Sequence, residues 1–201
     1  MDLHGEGLMN DFYDYIKEST AESLRKRPPQ MNEFLSIRGE NKIYKITVCR
    51  KELSDKIQWI MQKFTFGELK RQMDRYDYDK LYHLSLIVYL DDGSIYSIEK
   101  NERIKIRGQP DTSRSECKTY SFRKPIKVNE FIEKGEKKGG SDFYRYSANK
   151  NNCQKFVNDI VTANGVRAFT PFIMQDVDKL FTKNYRKIFQ GITDFAGYSK
   201  Y

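Results

Sequence analysis

A chain of 201 residues with 38% hydrophobic and 32% charged content can bury one sizeable core, and its 14% aromatic share excludes a disordered composition. The formal charge of +8 points to an anionic partner, an acidic protein or an anionic membrane surface. The lysines and arginines are dispersed, without zinc-finger or aromatic RNA-binding patterns, which argues against specific nucleic-acid recognition.

Three cysteines, Cys49, Cys117 and Cys153, without CxxC spacing, and only two histidines, argue against a disulfide framework and a zinc site. Asp11, Asp14, Asp74, Asp77 and Asp79 lack the glycine and terminal glutamate of a calcium loop. No phosphate-cradling glycine motif is present, so no cofactor is expected. The N-terminal residues lack a secretory pattern, and the longest apolar run, Leu84–Leu90, is too short to span a bilayer. The expectation is a soluble protein of a reducing, cytoplasmic compartment.

In chain order, residues 1–40 read as an accessory segment with a helix over Asn10–Arg27, closed by Pro28-Pro29, its basic end solvated. Residues 41–168 read as the main domain. Asn41–Arg50 predicts a strand in which Cys49 packs. Ser54 predicts the cap of a helix to about Lys63, and Phe66–Arg75 a second helix. Tyr82–Leu90, apolar on both faces, predicts a central strand. Asp91-Asp92-Gly93 is a hairpin turn, followed by strands over Ser94–Lys100 and Arg103–Arg107. Lys118–Arg123 predicts a further strand, and Val128–Lys138 a short surface helix ended by Gly139-Gly140. From 169 to 201, amphipathic helices are expected to cover one face of the sheet; their basic, aromatic character also suits a membrane surface.

The chemistry concentrates in Tyr146–Gly165. Asn151-Asn152-Cys153 opens an amphipathic helix bearing Phe156, Val157, Ile160 and Val161, so Cys153 falls in the first turn, where backbone N–H groups and the helix dipole favour thiolate. Taken alone, Cys153 reads as a small core residue and His83 as a satisfied strand histidine. Together they are a nucleophile and a base of suitable pKa. The imidazole then needs a polar group to orient it. Period-two alternation on the strand after the hairpin offers Glu99 or Ser97, and Glu99 is preferred because it also stabilises imidazolium.

Three blocks in this order, Tyr82-His83-Leu84-Ser85-Leu86, Asp92-Gly93-Ser94-Ile95-Tyr96 and Asn152-Cys153-Gln154-Lys155-Phe156-Val157, resemble the circularly permuted NlpC-type papain-like fold. That group includes lecithin:retinol acyltransferase-like thiol enzymes and related poxviral proteins. The likeness spans roughly 81–165. It implies an α+β papain-like domain with the nucleophile helix on a central antiparallel sheet. It further implies Cys153 as nucleophile, His83 as general base and the Cys153 N–H as an oxyanion donor. The acyltransferase branch usually carries a second histidine where this chain has Ser97 and Glu99. The expected activity is a cysteine-dependent hydrolase or acyltransferase acting on a peptide, amide or acyl-lipid substrate. The rival expectation is a non-catalytic, virion-associated module of the same fold.

Overall fold

The structure, a computed structural model, describes residues 27–53, 68–75, 80–101, 103–146 and 151–175. Alternating and continuous apolar runs in these residues form a five-stranded antiparallel sheet, ordered β4-β3-β2-β1-β5. The strands are β1 (Lys42–Glu52), β2 (Tyr82–Leu90), β3 (Ile95–Lys100), β4 (Ile104–Gly108) and β5 (Ser115–Lys127). The helices are α1 (Pro29–Arg38), α2 (Glu68–Arg75), α3 (Val128–Gly139), α4 (Cys153–Ala163) and the single turn α5 (Thr170–Ile173). The architecture is α+β, and β2 lies at the centre of the sheet, as its apolar run predicts.

One face of the sheet carries the core. Ile46 and Val48 of β1, Leu84, Leu86, Val88 and Leu90 of β2, and Ile98 of β3 are buried against Phe131 and Ile132 of α3 and Phe156, Val157 and Ile160 of α4. The alternate residues, Thr47, Cys49, His83, Ser85, Ile87, Ser97 and Glu99, form a second, mostly polar row, because directly opposed strand residues share a face. The β2–β3 hairpin turns at Gly93, whose φ of +83° is a conformation that glycine adopts without steric cost. There Asp92 Oδ1 accepts from the Ser94 N–H at 2.9 Å.

The prolines open a helix. Pro29 occupies the first turn of α1, where its missing N–H costs nothing, and Met31, Phe34 and Leu35 enter the common core. Arg27 is not a solvated helix end: its Nε donates to Glu136 Oε1 at 2.6 Å and its Nη2 to Glu136 Oε2 at 2.8 Å. Helix α3 is not merely superficial either. It buries Val128, Phe131, Ile132 and Gly135 and meets α4 closely enough that a Cβ on Gly135 would lie 2.7 Å from Ile160 Cγ1.

β5 runs well beyond the predicted Lys118–Arg123, because the long β1 offers it partners from Lys42↔Lys127 to Lys51↔Ser115. Pro125 is tolerated on this edge strand, where a missing N–H breaks no second ladder. In that register Cys49 stands directly opposite Cys117, and the two form a disulfide with Cα atoms 4.1 Å apart. The expectations of no disulfide and of a purely packing Cys49 are therefore corrected. Sixty-eight positions separate the two cysteines, and only the β1–β5 register brings them together. Of the expected Phe66–Arg75 helix, the described residues Glu68–Arg75 are helical. The helix from Ser54, the Asn10–Arg27 helix apart from Arg27, and the C-terminal helices beyond Gln175 lie outside the described residues. Among the described residues no helix is long and apolar enough to cross a membrane.

Candidate active site

The two asparagines before Cys153 have separate structural tasks. Asn152 caps α4, its Oδ1 accepting from the Gln154 N–H at 3.0 Å and the Lys155 N–H at 3.2 Å. Asn151 holds the preceding loop by donating from Nδ2 to the carbonyls of Asp142 and of Arg145, the latter at 2.6 Å. Cys153 is thereby fixed at the first helical position, where its N–H has no acceptor within the helix. Phe156, Val157 and Ile160 are fully buried, whereas Cys153 is half-buried at the border of the core.

The sheet opens where α4 begins. Pairing between β2 and β3 ends at Ser85↔Glu99, so Tyr82, His83 and Leu84 lie past it. The Tyr82 N–H donates to Gln175 Oε1 at 3.2 Å, and the Leu84 N–H lies near enough to the Cys153 sulfur to favour its charged form. A side-chain amide and a thiol thus occupy strand positions that β3 leaves open. His83 stands between them in sequence, hydrogen-bonded to Cys153 and, from Nε2, to Glu99 Oε2 at 3.2 Å. Its side chain is 26% exposed and that of Glu99 18%, so water reaches the pair. Cys153, His83 and Glu99 therefore meet at one place. Ser97 does not join them: it is buried and pairs with Ile87, farther along β2.

Electrostatics makes this triad polar. Burial works against a charged sulfur, but the His83 charge, the His83 hydrogen bond and the backbone N–H groups of Leu84 and Gln154 outweigh it and hold the Cys153 thiol below its usual pKa. Burial likewise opposes imidazolium, yet the facing sulfur charge and the hydrogen bonds to Cys153 and Glu99 push His83 up to about 10. Glu99 is kept low against its own burial by His83, Arg107 and Lys105. All three shifts favour a thiolate–imidazolium–carboxylate row at neutral pH.

Sequence reasoning missed three supporting residues. Gln154 is buried and exchanges two hydrogen bonds with Gln175: Gln154 Nε2 to Gln175 Oε1 at 3.2 Å, and the Gln175 N–H to Gln154 Oε1 at 2.8 Å. Because Gln175 also holds Tyr82 and donates to the Lys80 carbonyl at 2.8 Å, it ties the start of α4 to the start of β2. Lys100 is completely buried, donates to the Phe143 carbonyl at 2.7 Å and lies 5.7 Å from the Phe156 ring centre. Burial, and then the nearby Lys155 charge, bring its pKa down to about 7. The one available signal was position: a lysine closing an otherwise core-facing row of β3.

Among the described residues no group of three or more His, Cys, Asp or Glu side chains is arranged to hold a metal ion. An open depression lined by Lys134, Lys137, Lys138 and Arg167 lies by the C-terminal end of α4. The helix rise puts that end about 15 Å from Cys153, so the depression is no part of the triad. No protein-family model, curated protein or solved structure matches the chain.

Proposed function

We propose that this chain is a papain-like thiol enzyme that attacks an amide, ester or thioester carbonyl through Cys153. The observation that carries the reading is a solvent-reachable imidazole hydrogen-bonded on one side to a helix-N-terminal sulfur and on the other to a carboxylate. With Nε2 engaged by Glu99, Nδ1 is the ring nitrogen left to take the thiol proton. The thiolate adds to the carbonyl carbon, and the negative charge passes to the carbonyl oxygen, for which the Cys153 N–H is a donor. Collapse expels the amine, alkoxide or thiolate, which takes the proton from His83. Water or an amine, deprotonated by His83, then attacks the acyl-enzyme and restores the thiolate. The acceptor decides between hydrolase and acyltransferase. Central β2 followed by a D-G hairpin, with a Cys-initiated helix on the sheet, also agrees with the permuted NlpC-type arrangement.

The test is site-specific labelling. Iodoacetamide at pH 6.5 should alkylate Cys153 faster than a free cysteine thiol, since a lowered pKa raises the thiolate fraction. A phenyl thioester should leave an acyl group on Cys153, visible as added mass in the intact protein. His83→Ala should reduce both reactions, and Cys153→Ser should remove both. Alkylation no faster than a free thiol and indifferent to His83→Ala would exclude the reading.

A further inference from the structure

The polar row that carries His83 and Glu99 also carries a cation opposite each of them. Lys51 of β1 is in register with His83, and Lys105 of β4 is in register with Glu99. Directly opposed residues of antiparallel strands point to the same face, so both ammonium groups flank the triad. Two residues past Lys105, Arg107 shares that face and brings its Nη1 to 3.7 Å from Glu99 Oε1 while its side chain stays 60% exposed. Lys51 is exposed too. The acids nearby are already committed: Glu99 to His83, and Asp111, which feels Lys51, to the Ser113 N–H at 2.8 Å. Three cations thus share the face of the sheet on which the His83–Glu99 pair stands, beside the sulfur that His83 serves.

Resting on the thiol reading above, we infer that the acyl substrate bears an anionic group, a carboxylate or phosphate, which Lys51 and Arg107 receive from the two sides of the His83–Glu99 pair. Glu99 and Asp111 offset these charges only in part, so an anionic group would be drawn to them and a cationic one repelled. The chain's general basicity does not explain the arrangement, because two of the three cations stand at the register positions of the proposed base and its orienting acid.

The experiment compares iodoacetate, which is anionic, with iodoacetamide, which is neutral, on the full chain at low salt. The expected result is a Cys153 rate ratio favouring iodoacetate by roughly fivefold relative to free cysteine, falling as salt is raised. In Lys51→Gln/Arg107→Gln the ratio should fall at least threefold, while Lys134→Gln/Lys137→Gln, with the same change in net charge far from the site, should leave it unchanged. Taking the ratio cancels any general loss of thiolate reactivity in the variant. Slowing of iodoacetate by inorganic phosphate identifies a free anion as the occupant, and slowing by phosphatidylserine vesicles alone identifies a lipid headgroup; each supports the inference. A ratio unchanged in Lys51→Gln/Arg107→Gln overturns it while leaving the thiol chemistry intact. If Cys153 reacts with neither reagent, the thiol reading fails and the inference with it.

Discussion

At the residue scale, His83 needs a carboxylate behind it, not a hydroxyl. A hydroxyl only accepts a hydrogen bond, whereas Glu99 adds a full charge that favours imidazolium and so favours thiolate on the other side of the ring. Replacing Glu99 by Gln keeps an acceptor and removes the charge. The pH at which Cys153 alkylation reaches half its maximum should then rise, with slower labelling at pH 6.5. Ser97→Ala, buried against β2 away from the ring, should stay within about twofold of the wild type. Equal losses in the two variants would place the orienting group elsewhere. That Glu99, not Ser97, meets His83 was a question of register, which alternation alone could not answer: the two positions share a face and differ only in distance along the strand.

At the element scale, the readable parts were those with local chemistry. The apolar run of β2, the Asp92-Gly93 turn and the Asn152 cap are each specified within a few residues, so strand, hairpin and the helix begun by Cys153 could be placed directly. Gln175 could not be found that way, since it reaches the start of β2 across 93 positions and has no motif of its own. The extent of β5 depended on the length of β1, and the burial of α3 on one glycine. Gly135 lets the α3 backbone approach Ile160, with Ile160 Cα only 3.2 Å from where a Cβ would sit. Gly135→Ala would gain about 1 kcal/mol of helix propensity in an isolated helix. Here it should still destabilise the protein by about 1–3 kcal/mol, because backbone and core side chain must both give way. Urea denaturation checks this; a more stable variant would mean that the two helices are not so closely packed.

At the scale of the whole molecule, adjacent residues of β3 serve opposite faces. Glu99 holds His83 on the polar side, and Lys100 reaches through the core to the Phe143 carbonyl, next to the Asp142 and Arg145 carbonyls that Asn151 holds before α4. Burying that amine has a cost with a defined pH range. Lys100 titrates near 7 when folded and near 10.5 when unfolded, so between those values the unfolded chain binds the extra proton and stability rises with pH. Below about pH 7 the full penalty is present. Lys100→Met should therefore gain stability relative to the wild type at pH 6. The gain, reduced at every pH by the lost hydrogen bond to Phe143, should shrink by on the order of 5 kcal/mol toward pH 10.5. A pH-independent difference in melting temperature would contradict this. The Cys49–Cys117 disulfide, invisible without the sheet register, also removes the cysteine-based support for a reducing compartment, while Cys153 remains the free thiol. The most direct measurement is the ionisation of that thiol, followed as thiolate absorbance at about 240 nm in the wild type minus Cys153→Ser. Thiolate should already be present at pH 7 and be lost at that pH in His83→Ala, since burial without imidazolium raises the thiol pKa. A difference spectrum that develops only near pH 9, alike in both proteins, would contradict it.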